Sequence, residues 1–291
     1  MKTVKRLLVV FLLLMAAGPT KAQSRLSFSI PFKLIDNRPF IEVVIKKHTY
    51  HFILDCGAGN ALDLTAAQNA GLELTHPTLQ GGAGAKRVTF WLTRIDTINI
   101  GPARLCHADF QVTDFSEIQN KLHLPYLDGV IGYNFMKDYA VQFDYPHARI
   151  NFYKSYQANT KGLTFDLYYG QIPAITVNID GAPARVIVDT GDRTALTLFS
   201  HYADKQHLAE NYRLSDTTIT GYGIGGAIYA RRFMLKQLQI ATKKLHHIAA
   251  RVPALKTGGF AATDIDGSIG GGVLKNYKFT VDYLNSRLYF E

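Results

Sequence analysis

The feature that most limits how this chain can fold is that it repeats itself. Pro39-Phe40-Ile41-Glu42-Val43 begins 16 residues ahead of Asp55, and Pro173-Ala174-Ile175-Thr176-Val177 begins 16 residues ahead of Asp189. Within these segments Ile41, Val43 and Ile45 correspond to Ile175, Val177 and Ile179, apolar at period two. Further along, Asp128-Gly129-Val130-Ile131-Gly132 recurs as Asp266-Gly267-Ser268-Ile269-Gly270. An offset of 138 then holds to the end, linking Lys137 with Lys275, Tyr139 with Tyr277, Asp144 with Asp282, Tyr145 with Tyr283, Arg149 with Arg287 and Phe152 with Phe290. A constant offset with motifs in the same order is a tandem duplication.

Each half reads as β-rich. Alternating stretches at 40–45, 51–54, 140–143 and 149–153 are bounded by Gly, Asn, Asp and Pro. Helical patterns are few, at 65–71 and 199–211, with turns around 135–139 and 273–277. A polar stretch at 157–161 separates the halves. The expected architecture is all-β and bilobal: residues 1–22 a signal peptide, 23–158 an N-terminal lobe and 159–291 a C-terminal lobe.

The signal reading rests on a positive start (Lys2, Lys5, Arg6), an apolar run over 7–17, a Gly18-Pro19 break and a small-x-small site at Thr20-Lys21-Ala22. The run is short for a membrane span. The expectation is an exported protein, periplasmic or secreted, with no stable membrane insertion once the signal is removed. Four of the cations behind the net charge of +9 (Lys2, Lys5, Arg6, Lys21) lie in that leader, and the remaining basic pairs, such as Lys46-Lys47 and Arg231-Arg232, form no stripe. No nucleic-acid partner is expected. The two cysteines, Cys56 and Cys106, are expected as free, mostly buried thiols.

The chemistry resides in an apolar strand ending in Asp-x-Gly, once per half: Phe52-Ile53-Leu54-Asp55-Cys56-Gly57 and Val186-Ile187-Val188-Asp189-Thr190-Gly191. A lone carboxylate at a buried strand end is costly. Two that face each other across the lobe boundary can share one proton, so that one serves as base and the other as acid. Water held between them could attack a carbonyl. Asp-x-Gly alone is a common turn signal, but here it occurs twice at matched places. The Asp-Gly pairs at 128–129 and 266–267 read as turn chemistry, and Asp144 and Asp282 as strand-end residues.

On these motifs the chain resembles the retropepsin-like aspartic peptidases, in particular exported bacterial proteins with two such lobes in one chain. That family's signature is apolar-apolar-Asp-Thr/Ser-Gly, followed by an apolar-apolar-Gly element; Val130-Ile131-Gly132 and Ile269-Gly270 stand in that second place. Gly81-Gly82-Ala83-Gly84 and Gly221-Tyr222-Gly223-Ile224 stand where the family carries flaps. The resemblance implies an acid-protease fold of two tandem retropepsin-like β-barrel lobes, with Asp55 and Asp189 as catalytic dyad. Cys56, Gly57, Thr190 and Gly191 would support the dyad loops, and Gly82, Gly84, Tyr222 and Gly223 would belong to flaps that touch substrate. A peptide or protein substrate, no metal, no cofactor and a monomer are expected.

Three positions depart from the signature. Cys56 stands where Thr or Ser is expected, and a thiol is a weak donor, so half of the link between the lobes should weaken. Asp192 follows Gly191, where its charge should oppose the dyad unless it points outward or pairs with Arg193. Ser268 replaces an apolar residue. These motivate an alternative, a catalytically impaired peptide-binding protein of the same fold; a weaker rival is a hydrolase acting on sugars. Gly221-x-Gly223-x-x-Gly226 matches a dinucleotide fingerprint in spacing, but the residues after it alternate like a strand. His246-His247 in a strand would point to opposite faces, and His201 and His207 would not share a helix face.

Overall fold

Tight turns let the alternating stretches double back into sheet. Asp36 and Asn37 both take left-handed backbone (φ 49° and 64°), as do Lys46 and Lys47 (47° and 73°) and, in the second half, Asp180 and Gly181 (49° and 93°). Such pairs form the two-residue turns whose twist matches that of the flanking strands. They join Lys33–Ile35 to Arg38–Ile45, Arg38–Ile45 to His48–Leu54, and Ile172–Ile179 to Ala182–Asp189. Lys46-Lys47, a surface pair by sequence, is thus a turn, and Lys46 Nζ donates to the carbonyls of Ala70 (3.0 Å) and Gly71 (3.1 Å) just beyond a helix end.

The computed structural model describes residues 24–254 and 258–291. The export reading of 1–22 lies outside the described residues. In the first half eight strands lie in the order Lys33–Ile35, Arg38–Ile45, His48–Leu54, Gly129–Ile131, Ala61–Asp63, Ala103–Thr113, Arg87–Ile100 and Thr75–Gly81. A further pairing of Arg38–Ile45 with Arg87–Ile100 bends this sheet back on itself. The second half repeats the order: Asp166–Tyr168, Ile172–Ile179, Ala182–Asp189, Gly267–Gly270, Leu196–Leu198, Lys243–Pro253, Gly226–Ile240 and Thr218–Gly223. Its closing pair, Ile172–Ile179 with Gly226–Ile240, is the same. The protein is all-β and two-lobed, as the duplication predicts.

A third sheet of six strands lies under both lobes, three from each half: Arg25–Pro31, Arg149–Ser155, Ala140–Asp144, then Lys278–Asp282, Arg287–Phe290 and Leu163–Thr164. At its centre Gln142 pairs with Thr280, Val141 with Val281 and Phe143 with Phe279. The offset of 138 found in the sequence therefore marks residues related by a local two-fold axis through this sheet. Phe143 and Phe279 are fully buried and stack at 5.0 Å with 12° between their rings. The chain passes from one half to the other between Ser155 and Leu163.

Three local expectations change. The helical pattern at 199–211 is two helices, Ser200–Lys205 and Leu208–Asn211, because His207 adopts left-handed backbone (φ 50°) and breaks the ladder. A helix the sequence did not announce spans Ser116–Leu122, where the Asp114 carboxylate accepts the Ser116 N–H (2.8 Å). Cys106 is exposed, whereas Cys56 is buried. His107 (φ 51°) interrupts the strand's alternation, so Cys106 and His107 both face outward. Among the described residues no helix is long and apolar enough to cross a membrane.

The shared sheet yields a stability prediction. Phe279→Ala should cost about 3–5 kcal/mol in chemical denaturation, the usual range for emptying a buried aromatic site. A loss under about 1 kcal/mol would show that this sheet does not hold the lobes together.

Candidate active site

Each Asp loop is set by a parallel strand pair. His48–Leu54 runs beside Gly129–Ile131, and Ala182–Asp189 beside Gly267–Gly270. The Asp55 N–H donates to the Ile131 carbonyl (2.9 Å). Only glycine fits at the ends of the second elements: a Cβ on Gly132 would lie 2.0 Å from the Ala58 carbonyl oxygen, and one on Gly270 would lie 2.4 Å from that of Thr194. The Asp-Gly pairs are turn chemistry, since Asp128 accepts the His51 N–H and Asp266 the Arg185 N–H, both at 2.7 Å. Asp144 and Asp282 cap the turns after their strands.

The two loops bring the Asp55 and Asp189 carboxyls together, with the Gly191 N–H shared between Oδ1 of both. Asp55 Oδ1 accepts the Gly57 N–H (2.7 Å) and the Gly191 N–H (3.1 Å). Asp189 Oδ1 accepts the same Gly191 N–H (2.9 Å) and the Asp192 N–H (2.8 Å). The loops also cross closely, because a Cβ on Gly57 would stand 2.5 Å from Asp189 Cγ and one on Gly191 would stand 2.1 Å from Asp55 Oδ2. Burial pushes both carboxyls above the ordinary range. For Asp55 the Gly57 and Gly191 N–H groups and the Arg38 charge work against burial. Asp189 is pushed well up by burial, then by Asp55 and by Asp192.

The link between the loops is made from both sides, with a hydroxyl on one and a thiol on the other. Thr190 Oγ1 accepts the Cys56 N–H (3.0 Å) and donates to the Leu54 carbonyl (2.9 Å). Cys56 makes the mirror contact, its thiol donating to the Val188 carbonyl at 3.2 Å. Both side-chain donors of the link are thus in place, and the expected weakening lies on the Cys56 side, where a thiol replaces a hydroxyl. Burial first, and then the Asp55 charge, pushes the Cys56 thiol up, so it stays protonated. This is the buried, unreactive thiol, not a nucleophile.

Asp192 does oppose the dyad, since its charge helps push Asp189 up, but its partner is not the expected one. Its carboxylate accepts the Thr194 N–H (2.9 Å), the Thr194 hydroxyl (2.8 Å) and the Thr197 hydroxyl (3.3 Å). Its ionic partner is Arg251, with Nη2 at 3.4 Å from both oxygens. Arg193 instead reaches Asp36 at 2.8 Å, because it lies beside the Asp36-Asn37 turn of the other half. Burial acts to raise the Asp192 carboxyl, but Arg251, the two Thr194 donors and Arg38 outweigh it and hold it below the ordinary range. Ser268 is buried, and its hydroxyl has no partner.

Two cations at the site escaped sequence reading. Arg38 Nε donates to the Gly191 carbonyl (2.7 Å) and Nη1 to Asp36 (2.6 Å), tying the first hairpin to the second Asp loop. Arg251 donates from Nε to Thr197 (2.9 Å) and from Nη1 to Thr220 (3.2 Å). The alternation of their strands marks neither charge, since Arg38 has the parity of exposed Glu42 and Arg251 that of exposed Ala249.

The dyad lies on the floor of a cavity of about 790 Å³ between the lobes. The flap hairpins roof it, and their tips touch: the Gly84 N–H donates to Ile224 O (2.8 Å) and the Lys86 N–H to Gly225 O (2.9 Å). Gly82, Tyr222 and Gly223 line the cavity, while Gly84 packs against Gly225 in the roof. Residues 221–226 are a strand-to-strand hairpin, so no helix follows the glycine pattern. One wall is apolar, with Ile53, Phe115, Ile118, Leu127 and Val130, and the facing wall carries Tyr169, Ile172, Phe260 and Arg251.

This burial pattern fixes what cysteine chemistry should report. A small thiol reagent should label Cys106 rapidly and leave Cys56 unmodified in the folded protein; equal labelling would contradict the packing. Cys56→Thr should stay within about 1 kcal/mol of the parent in chemical denaturation, whereas Cys56→Ala, which strands the buried Val188 carbonyl, should cost about 1–3 kcal/mol.

Residues 41–135 match the model of the family described as aspartyl protease. No match is found among curated proteins. The matched segment holds the first Asp loop, the first flap and Val130-Ile131-Gly132, and of the first lobe's site residues described above it leaves out Arg38. The second lobe repeats that arrangement around Asp189. In its matched first lobe and in the two-lobed fold built on it, the chain is similar to the retropepsin-like aspartic peptidases.

Proposed function

We propose that this chain is an aspartic endopeptidase that cleaves peptide bonds with water activated jointly by Asp55 and Asp189. The observation that carries this reading is the juxtaposition of two strand-end carboxyls, one from each half, around one shared N–H on the floor of a cavity roofed by two hairpins. The aspartyl protease match of residues 41–135 supports the reaction class.

With one proton on the pair, the ionised carboxyl takes a proton from water as the water oxygen bonds to the carbonyl carbon. The protonated carboxyl gives its proton to the carbonyl oxygen, leaving a neutral gem-diol. In the second half of the reaction the first carboxyl donates the proton it gained to the amide nitrogen as the C–N bond breaks. The other recovers a proton from a diol hydroxyl, and the dyad returns to its starting state. The apolar wall supports a preference for apolar side chains beside the scissile bond. Both halves of the site lie in one chain, so a monomer would suffice. The leader pattern of residues 1–22 supports export to the periplasm or outside the cell.

Cleavage of a diverse peptide mixture by residues 23–291 tests the reading. Turnover needs exactly one dyad proton in the sense that both the doubly protonated and the fully ionised pair are inert. Activity should therefore follow a bell whose acid limb lies above 3.8, the ordinary carboxyl value, since Asp55 is raised. The alkaline limb, where the shared proton is lost, should lie well above it, since Asp189 is raised further. Asp55→Asn and Asp189→Asn should each lose at least about 10²-fold. Peptide binding without cleavage at any pH would favour the impaired binder, and cleavage surviving both substitutions would place the site elsewhere.

A further inference from the structure

The duplication allows the two sides of the dyad to be compared residue by residue, and they are not alike. Where the second lobe has Asp192, the first has Ala58. The strand pairings make Ala61 the counterpart of Thr197 and Gln111 of Arg251, while Thr220 sits at a break in the register of its hairpin and has no counterpart. Asp192, Thr197 and Arg251 thus have the uncharged counterparts Ala58, Ala61 and Gln111, and neither charge of the buried ion pair is repeated in the first lobe. The reverse holds for Arg38, whose counterpart is Ile172, each being at the start of its strand. One lobe sets an anion and its buried counter-cation beside Asp189; the other sets a cation beside Asp55.

We propose that Asp192, held by Arg251, together with Arg38, breaks the equivalence of the dyad so that Asp189 holds the shared proton and Asp55 carries the charge. Asp55 is then the base toward water and Asp189 the acid toward the substrate carbonyl oxygen. Asp192, Arg251 and Arg38 are positioning residues in this scheme, since they place the proton and do not touch the reacting atoms. The assignment of base and acid rests on the peptidase reading; the placement of the proton does not.

The groups that face the pair are few. Asp55 faces Asp189, Cys56, Tyr145, Tyr283 and Arg38. Cys56 and the two phenols are pushed up by burial first and so stay neutral. Asp189 faces Asp55, Cys56, Asp192 and Arg251, while Arg193 and Arg232 act on Arg251 from its other sides. The nearest fixed charge on Asp55 is therefore positive. On Asp189, burial and the charges of Asp55 and Asp192 act toward protonation and prevail over the Asp192 N–H that Asp189 Oδ1 accepts (2.8 Å), which favours the ionised form. The Asp192 carboxylate is oriented by three hydrogen bonds from Thr194 and Thr197.

The test uses residues 23–291 with aspartate carboxyl carbons labelled for NMR titration. In Asp55→Asn the surviving Asp189 should titrate at least one pH unit above the surviving Asp55 of Asp189→Asn, a tenfold difference in proton affinity. Equal or reversed midpoints would overturn the proposal. Adding Asp192→Asn to the Asp55→Asn variant should lower the Asp189 midpoint; a midpoint that does not move would remove Asp192 from the mechanism. Because Asp192→Asn leaves Arg251 buried without its counter-ion, Asp192→Asn with Arg251→Gln serves if the single change fails to fold, and the midpoint should again fall. In the otherwise native enzyme Asp192→Asn should draw in the alkaline limb of activity, which a purely structural role would not do. If the parent cleaves nothing, the peptidase reading fails, but the titration still decides where the proton lies.

Discussion

Everything in this molecule depends on holding two carboxyls in contact away from water. Like charges at that distance cannot both ionise, and a buried unpaired carboxylate is costly. The chain resolves this with main-chain donors from crossed loops. The Gly191 N–H serves both Asp55 Oδ1 and Asp189 Oδ1, and the Cys56 and Thr190 side chains each reach a carbonyl of the opposite strand. None of these contacts tolerates a shift of one lobe against the other. The six-stranded sheet below supplies that rigidity, with its centre on the axis that relates the two aspartates.

Much of this was legible in the sequence because the duplication carries its own register. The offset of 138 reappears as the Gln142–Thr280 pairing, and the two Asp-x-Gly strands arrive at one point because their surroundings are copies. Period-two alternation located strands such as Arg38–Ile45 and Ala140–Asp144 to within a few residues. What was not legible depended on contacts between residues far apart in the chain. Nothing near Arg251 indicates that its partner is Asp192, 59 positions away, because a charge on a strand reads as solvent-facing until the network that satisfies it is seen. The thiol of Cys56 reads as a weak substitute for a hydroxyl, yet the loop crossing offers it one acceptor, Val188 O, and it takes it. His207 shows the same limit on a smaller scale, since its left-handed backbone has no signature in the residue itself.

The site also shows how a duplicated scaffold acquires direction. Two identical lobes would give a dyad with interchangeable members, whereas hydrolysis needs a base and an acid. The core keeps the symmetry, in the barrel order and in the paired Phe143 and Phe279, while the residues that differ, such as Ala58 against Asp192 and Gln111 against Arg251, gather at the floor and walls of the cavity. The cavity walls differ in the same sense, one lined by Ile53, Phe115, Ile118, Leu127 and Val130 and the other carrying a buried ion pair. A substrate lying across the axis therefore meets different chemistry on either side of the bond to be broken.

The central claim is that the Asp55–Asp189 pair recognises the tetrahedral species formed when water adds to a peptide carbonyl. The most direct measurement is calorimetric affinity for a non-cleavable peptide carrying a secondary hydroxyl in place of the scissile carbonyl, against the same peptide with a methylene there. The account predicts that the hydroxyl strengthens binding to the parent by at least about 10²-fold, the low end for analogues of a transition state. It also predicts that Asp55→Asn or Asp189→Asn abolishes that preference. Equal affinity for the two peptides in the folded parent, or a preference that survives both substitutions, would contradict it.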